Sequence, residues 1–140
     1  MPLFKYDGTP AAETGPDSAY FGNNDAVAET ITGTIGADSI WGGAGDVLKG
    51  GAGNDIYWLQ ALRPQLTVVE HAGGGVDTIA GWQSLSLEHF PNIENVRVEN
   101  NNTYGAGNAG DNVIQGGAGS QQLYGGTGGQ DVLIGGAGAD

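Results

Sequence analysis

The chain has 140 residues, of which 28 are Gly and none is Cys, and its 16 acidic residues outnumber 4 Lys and Arg to give a formal charge of -12. The lack of Cys excludes disulfides, thiolate metal sites and a catalytic thiol, and the acidic balance argues against a nucleic acid or an anionic membrane as partner. No stretch approaches the roughly 20 apolar residues that span a bilayer, and the N-terminus lacks the apolar run of a signal peptide. The composition favours a cation as ligand.

Glycine content divides the chain into four segments. Residues 1–28 are a leader of mixed composition and unclear role. Residues 29–58 and 105–140 are dense in glycine and form two blocks of repeats, whereas residues 59–104 contain few glycines outside the triplet at 73–75. Biased blocks of this kind indicate internal repeats, which decide the fold before single elements do.

Both glycine-rich blocks repeat one short unit: an acidic or amide residue, any residue, an apolar residue, any residue and then, in most copies, Gly. The units occupy residues 29–33, 38–42, 46–50, 55–58, 112–116, 121–125 and 131–135. The glycines that open successive turns lie eight to ten residues apart. Such a unit is too short for a helix with its turn, and it fits a tight glycine turn followed by a short strand.

Stacked units of this kind predict an all-β chain, a parallel β-roll or β-helix solenoid built from glycine-rich nonapeptide repeats. One unit cannot bury its apolar side chain alone, so the units must stack. Two units would form one coil, whose strands alternate between two parallel sheets. The side chains expected to point inward are Ile31, Ile40, Leu48, Tyr57, Ile114, Leu123 and Leu133.

The segment between the two blocks also has the character of β-structure. Residues 66–70, 76–80 and 93–99 are rich in residues that favour strands, and the last two stretches alternate apolar with polar side chains. We therefore interpret residues 59–104 as longer coils of the same solenoid, with a separate domain as the less favoured alternative. For residues 85–90, a short helix is the alternative to β-structure.

The turns of the first block place acids beside exposed backbone. Glycine turns present carbonyl oxygens without a Cβ in the way, and an acid follows each turn. Ca²⁺ takes about six to eight oxygen ligands at about 2.3–2.6 Å, which is this type of donor set. Because every second turn of a two-sheet coil lies on the same side, Asp38 should pair with Asp55 and Glu29 with Asp46. The alternative role of these acids is Asx-type capping of the turns.

Residues 50–58, Gly-Gly-Ala-Gly-Asn-Asp-Ile-Tyr-Trp, closely resemble the Gly-Gly-x-Gly-x-Asp-x-apolar-x nonapeptide of RTX (repeats-in-toxin, haemolysin-type) calcium-binding proteins. Residues 69–79 and 92–98 are similar to the segments between repeats in that family, so the resemblance covers about residues 29–140. It implies a calcium-dependent β-roll that leaves a bacterial cell by the type I secretion route and folds in extracellular calcium. The family's secretion signal follows the repeats, so we expect this chain to be a fragment.

Several turns depart from the family pattern. Asp46 follows its turn one residue early, and the second block has Asn112 and Gln121 at the acid position. Asp131 is displaced by one residue, which leaves Asp140 as the acid in register. Since each same-side pair of the second block then has one acid, its calcium sites should be weaker than those of the first block.

The candidate metal ligands are therefore the repeat acids and the carbonyl groups of the turn glycines. They are Asp38, Asp46, Asp55, Glu29, Asp131, Asp140, Gly33, Gly36, Gly42, Gly50 and Gly53. Asp77 follows the glycine triplet and is equally suited to ligation and to capping.

No motif indicates a catalytic centre in this chain alone. Residues 105–110 match the dinucleotide fingerprint Gly-x-Gly-x-x-Gly, but a strand rather than a helix should follow them. His71 and His89 lack the spacing of a zinc protease. We read His71 as a surface residue rather than as the partner of Glu70 in an acid–base pair.

We expect a calcium-binding module of a secreted, extracellular protein, with folding coupled to Ca²⁺ outside the cell, since a chain of this charge should be loose without a cation. An adhesive, S-layer or carbohydrate-binding module is one alternative. Another is the non-catalytic repeat region of a larger secreted hydrolase, lyase or epimerase. A glycan or cell-surface partner would use aromatic side chains, namely Trp41, Trp58, Trp82, Tyr57, Tyr104 and Tyr124. Under the plainer interpretation Trp41, Trp58 and Tyr124 only alternate outward on their strands.

Overall fold

A computed structural model describes residues 17–21, 28–59 and 66–140, and every regular element in these ranges is a β-strand. The strands are β1 (Asp17–Phe21), β2 (Thr30–Thr32), β3 (Ala37–Gly42), β4 (Val47–Lys49), β5 (Ile56–Leu59), β6 (Thr67–Val69), β7 (Thr78–Gly81), β8 (Leu85–Ser86), β9 (Asn95–Val98), β10 (Thr103–Ala106), β11 (Val113–Gly116), β12 (Gln121–Tyr124) and β13 (Val132–Ile134). Most of the leader lies outside the described residues. In the described ranges no helix has the length and apolar character to cross a membrane.

The chain forms two compact units, residues 1–77 and 78–140. In the first unit, β1, β3 and β5 form one parallel sheet, and β2, β4 and β6 form a second. Consecutive strands therefore go to different sheets. Asp38 lies at the start of β3 and Asp55 lies directly before the neighbouring strand β5, so one coil takes 17 residues here. This arrangement confirms the predicted parallel β-solenoid.

The second unit repeats the same architecture. Strands β7, β9, β11 and β13 form one parallel sheet, and β8, β10 and β12 form the other. Strands β6, β7 and β9 fall within or overlap the stretches expected to be β-structure between the two glycine-rich blocks. The division into four segments stays a prediction.

The core of each unit is the row of inward side chains at the centres of the strands. Ile31, Ile40, Leu48 and Tyr57 are buried in the first unit, and Ile114 is buried in the second, as predicted. Two members of the predicted row differ, because Leu123 is only half-buried and Leu133 is 47% exposed. Strand β13 pairs along one edge only, with β11, so only one side of Leu133 is covered.

The alternative of a helix over residues 85–90 is wrong. This stretch holds strand β8 and then a turn, in which the Phe90 N–H donates to the Leu87 carbonyl oxygen at 2.8 Å. Leu85 and Leu87 are both buried. A spacing of two residues between buried side chains is the period of a strand, not of a helix.

Candidate metal centre

The glycine turns of the first unit stack one above another, with little space between them. A Cβ on Gly33 would lie 2.5 Å from the Gly50 carbonyl oxygen, and one on Gly53 would lie 2.5 Å from the Gly36 carbonyl oxygen. Gly53 also has a φ of 112°, in the region that side chains disfavour. Glycine is therefore required here by the contact between turns, and it brings the carbonyl oxygens of neighbouring coils together. Gly42 differs, since a Cβ there would meet the Leu48 side chain instead.

The acids that follow these turns form a column along the coils. The Asp38 N–H donates to Asp55 Oδ1 at 2.8 Å, and the Asp55 N–H donates to Asp77 Oδ1 at 2.9 Å. On the other side of the coil, the Glu29 N–H donates to Asp46 Oδ1 at 3.0 Å. The structure thus brings Asp38 beside Asp55 and Glu29 beside Asp46, and it adds Asp77 to the first column.

Asp55, Asp77 and Glu70 form the strongest acidic cluster. One carboxylate oxygen from each lies within 4.8 Å of the others, and no second group of three or more acidic or His side chains of this kind occurs in residues 28–59 and 66–140. Asp55 is fully buried and Asp77 is 1% exposed. Asp55 Oδ2 is buried and has no hydrogen-bond partner. A buried carboxylate oxygen without a donor, crowded by two further carboxylates, fits a hard cation such as Ca²⁺.

The electrostatics of Asp55 support the same conclusion. Burial is the main cause that raises the pKa of its carboxyl to about 7. The negative charges of Asp77, Asp38 and Glu70 raise it as well, while the hydrogen bond from the Asp38 N–H opposes the shift. The ionised side chain is therefore unfavourable here without a neighbouring positive charge.

Tyr57 holds Glu70 in this cluster. The Gly50 N–H donates to the Tyr57 hydroxyl oxygen at 2.6 Å, and the Tyr57 O–H donates to Glu70 Oε1. Burial, followed by the hydrogen bond to Glu70, raises the pKa of Tyr57 far above its ordinary value, so the hydroxyl remains a donor. Glu70 was not among the candidate ligands predicted from the sequence. The only local signal was an acid between strand β6 and the glycine triplet.

Replacing Tyr57 by Phe should destabilise the first unit and weaken calcium binding. The Gly50 N–H would lose its buried acceptor, at a cost of about 1–3 kcal/mol in the free energy of unfolding, and Glu70 would lose its donor. Urea unfolding with and without Ca²⁺ measures both effects. Tyr104→Phe is the control, because that side chain is 44% exposed. Unchanged stability and calcium affinity in Tyr57→Phe would contradict this role.

Asp38 and Asp46 already accept hydrogen bonds within their own turns. Asp38 Oδ2 accepts from the Thr34 N–H at 2.5 Å and from the Thr34 hydroxyl at 3.0 Å. Asp46 Oδ2 accepts from the Gly43 N–H at 2.7 Å, so both of its oxygens are occupied. These contacts support the capping alternative, most clearly for Asp46.

In the second unit the corresponding columns each contain one acid. The Asn112 N–H donates to Asp131 Oδ1 at 3.0 Å, and the Gln121 N–H donates to Asp140 Oδ1 at 2.9 Å. Asn112 and Gln121 are buried, whereas Asp131 is half-buried and Asp140 is exposed. These turns therefore repeat the geometry of the first unit with fewer buried charges.

Comparison with known proteins agrees with this geometry. The profile of the RTX calcium-binding nonapeptide repeat matches four times, at residues 23–57, 46–61, 100–129 and 126–140. Two relatives are Endo-1,3-1,4-beta-glycanase ExsH and Endo-1,3-1,4-beta-glycanase EglC, both of Rhizobium meliloti (strain 1021), at 42% and 39% identity over 112 residues.

These matches cover 79% of this chain and 23% of each relative, so the chain spans about a quarter of the length of the two glycanases. No solved structure matches. The repeats match over more than half of the chain. The chain therefore belongs to the family of RTX calcium-binding repeat proteins, whose repeats bind Ca²⁺.

Proposed function

We propose that the chain is a calcium-binding β-roll module of a secreted protein, and that its folding is coupled to Ca²⁺ outside the cell. The observation that carries the proposal is Asp55 Oδ2, a buried carboxylate oxygen without a donor, beside Asp77 and Glu70. Asp55, Asp77 and Glu70 are the ligands we assign first. Carbonyl oxygens of the stacked turns, at Gly36 and Gly50 among others, are the uncharged ligands we assign.

The coupling to folding follows from charge and mass action. The chain carries a formal charge of -12, and self-repulsion of that size destabilises a compact state. A ligand that binds only the folded state stabilises it by about 2.7 kcal/mol for each site at 100 times the dissociation constant. Domains are stable by only about 5–15 kcal/mol in total, so very few sites decide whether such a module folds.

Circular dichroism during a calcium titration tests the proposal. Added Ca²⁺ should increase the β-structure signal of the far-ultraviolet spectrum above its level in chelator, whereas Mg²⁺ should not. The reason is that Mg²⁺ binds at shorter distances and gives up its water reluctantly. A spectrum that stays constant up to about 10 mM Ca²⁺, where weak extracellular sites fill, would contradict coupled folding.

The comparisons favour one larger context for this module. Both relatives are named endo-glycanases, and the match covers less than a quarter of each. We therefore propose that the module is the non-catalytic repeat region of a larger secreted glycan hydrolase, exported by the type I route. The isolated chain should then bind Ca²⁺ and fail to release reducing sugar from a mixed-linkage β-glucan, whereas hydrolysis by the chain alone would contradict the assignment.

A glycan-binding role has less support. Trp41 and Trp58 stack on each other with ring centroids 5.9 Å apart, so each covers one face of the other. Tyr104 and Tyr124 are exposed but meet edge to face, with centroids 6.5 Å apart. Tyr57, which was counted among the candidate aromatic residues, is fully buried in the core and is excluded from such a surface.

A further inference from the structure

The second unit has amide side chains where the first has buried acids. Asn112 and Gln121 each precede or begin a strand, β11 and β12, and each is 3% exposed. Their backbone N–H groups donate to Asp131 and Asp140, as the Asp38 N–H donates to Asp55. The backbone arrangement is therefore the same in both units, and the side chain at this position is the difference.

The amide groups of the second unit donate hydrogen bonds to carbonyl oxygens of the preceding coil. Asn112 Nδ2 donates to the Glu94 carbonyl oxygen at 2.9 Å. Asn108, in the turn before it, donates from Nδ2 to the carbonyl oxygens of Phe90 at 2.9 Å and Ile93 at 3.0 Å. Three backbone carbonyl oxygens of one coil thus receive N–H groups from two side chains of the next.

The remaining polar atoms of these two Asn residues are also paired. Asn112 Oδ1 accepts from the Asn108 N–H at 2.8 Å, and Asn108 Oδ1 accepts from the Gly110 N–H at 2.9 Å. Gln121 repeats part of the pattern, since its Nε2 donates to the carbonyl oxygens of Asn100 at 3.0 Å and Ala118 at 3.2 Å. Its Oε1 is buried without a partner, so Asn112 is the more complete case.

A carboxylate at this position cannot make these contacts. An ionised Asp or Glu only accepts hydrogen bonds, whereas an amide both donates and accepts. A carboxylate oxygen in the place of Asn112 Nδ2 would face the Glu94 carbonyl oxygen, and a cation between the two oxygens would remove their repulsion. The amide N–H provides the positive end of a dipole in the same place.

We infer that the side-chain amides of Asn108 and Asn112 take the place of calcium between the coils of the second unit, which therefore folds without Ca²⁺. The inference deepens the proposed function, on which it rests, by dividing the chain into a calcium-dependent first unit and a calcium-independent second unit. It also assigns the residue at the acid position as the one that decides which turns respond to the cation.

Hydrogen–deuterium exchange of the full chain, in chelator and in about 10 mM Ca²⁺, tests the inference. Peptides that cover β9 to β12 should be protected equally in both conditions, and peptides that cover β3 to β5 should gain protection only in Ca²⁺. Calcium-dependent protection of β9 to β12 in the wild-type chain would overturn the inference. A first unit that does not respond to Ca²⁺ would instead count against the proposed function, so the two failures are distinguishable.

Two substitutions at one position separate the amide from the side-chain volume. Asn112→Asp should speed exchange in β11 by about tenfold in chelator, the effect of losing roughly one buried hydrogen bond, and Ca²⁺ should restore the protection. Asn112→Ala should speed it in both conditions, because it holds neither a donor nor a cation ligand. The inference that the amide takes the place of the cation would be overturned by either of two results. In one, β11 of Asn112→Asp is as protected in chelator as in the wild-type chain. In the other, β11 loses protection that Ca²⁺ does not restore.

Discussion

Replacing Asp55 by Asn should raise the melting temperature in chelator and remove most of the increase that Ca²⁺ produces in the wild-type protein. The pKa of Asp55 is raised from 3.8 to about 7 in the folded state. Because this pKa is higher in the folded than in the unfolded state, ionisation of Asp55 lowers the free energy of unfolding as the pH rises above 3.8. The full loss of stability is reached above about pH 7. Since one pKa unit is about 1.4 kcal/mol, ionised Asp55 costs a few kcal/mol near pH 8 in the calcium-free protein.

Asn at position 55 keeps the acceptor for the Asp38 N–H and removes the charge. The calcium-free protein should therefore become more stable near pH 8, while the calcium site proposed at Asp55, Asp77 and Glu70 would lose one of its three carboxylates. About 1 kcal/mol changes the melting temperature of a domain by roughly 2–8 °C, so thermal unfolding by circular dichroism resolves both effects.

Asp46→Asn is the matched control. Both oxygens of Asp46 accept backbone N–H groups, from Glu29 and Gly43, so an amide NH₂ there would face a donor. This variant should lose stability with and without Ca²⁺ and retain the calcium-induced increase. If Asp55→Asn behaved in the same way as Asp46→Asn, Asp55 would be a cap rather than a ligand, and the assignment of the cluster would fail.

The coil architecture could be predicted from the sequence because it depends on local periodicity. The apolar residues at the centres of the repeats, such as Ile40 and Leu48, predicted the buried row, and the structure confirms them. Exposure of Leu133 depends instead on β13 pairing along one edge only, which the repeat pattern does not express.

The acidic cluster could be predicted only in part, because Glu70 reaches it through a contact between coils. The repeat places Asp55, but the coil from Asp55 to Asp77 takes 22 residues and carries Glu70 outside the repeat pattern. The hydroxyl of Tyr57, a side chain that the repeat pattern predicts to point inward, holds Glu70 in place. Contacts of this kind depend on side-chain length and orientation, which a spacing argument does not contain.

The same limit applies to the second unit. The sequence predicted weaker calcium sites there because an amide oxygen is a neutral ligand. In the structure the amide nitrogen of Asn112 makes the contact with the preceding coil. Residue type alone does not determine which end of an amide faces the neighbouring backbone.

Gly53→Ala should separate the stacked turns of the first unit, with a larger effect than loss of glycine flexibility alone. At a φ of 112° an L-residue is strained, which costs on the order of 1–2 kcal/mol. The added Cβ would also lie 2.5 Å from the Gly36 carbonyl oxygen and carbon, so the backbone must move, at a further cost of about 1–3 kcal/mol. Because that movement displaces the carbonyl oxygens proposed as calcium ligands, calcium affinity should fall together with stability.

Gly73→Ala separates strain from stacking. Gly73 has a φ of 79°, and a Cβ there would meet no atom within 4 Å, so this variant has the backbone strain without the clash. It should lower the melting temperature by less than Gly53→Ala and leave calcium affinity, measured by titration calorimetry, near the wild-type value. Equal losses of affinity in the two variants would show that the distance between turns 33–36 and 50–53 does not control calcium binding. A loss confined to Gly53→Ala would instead show that glycine at position 53 serves the metal site by letting two carbonyl-bearing turns lie in contact.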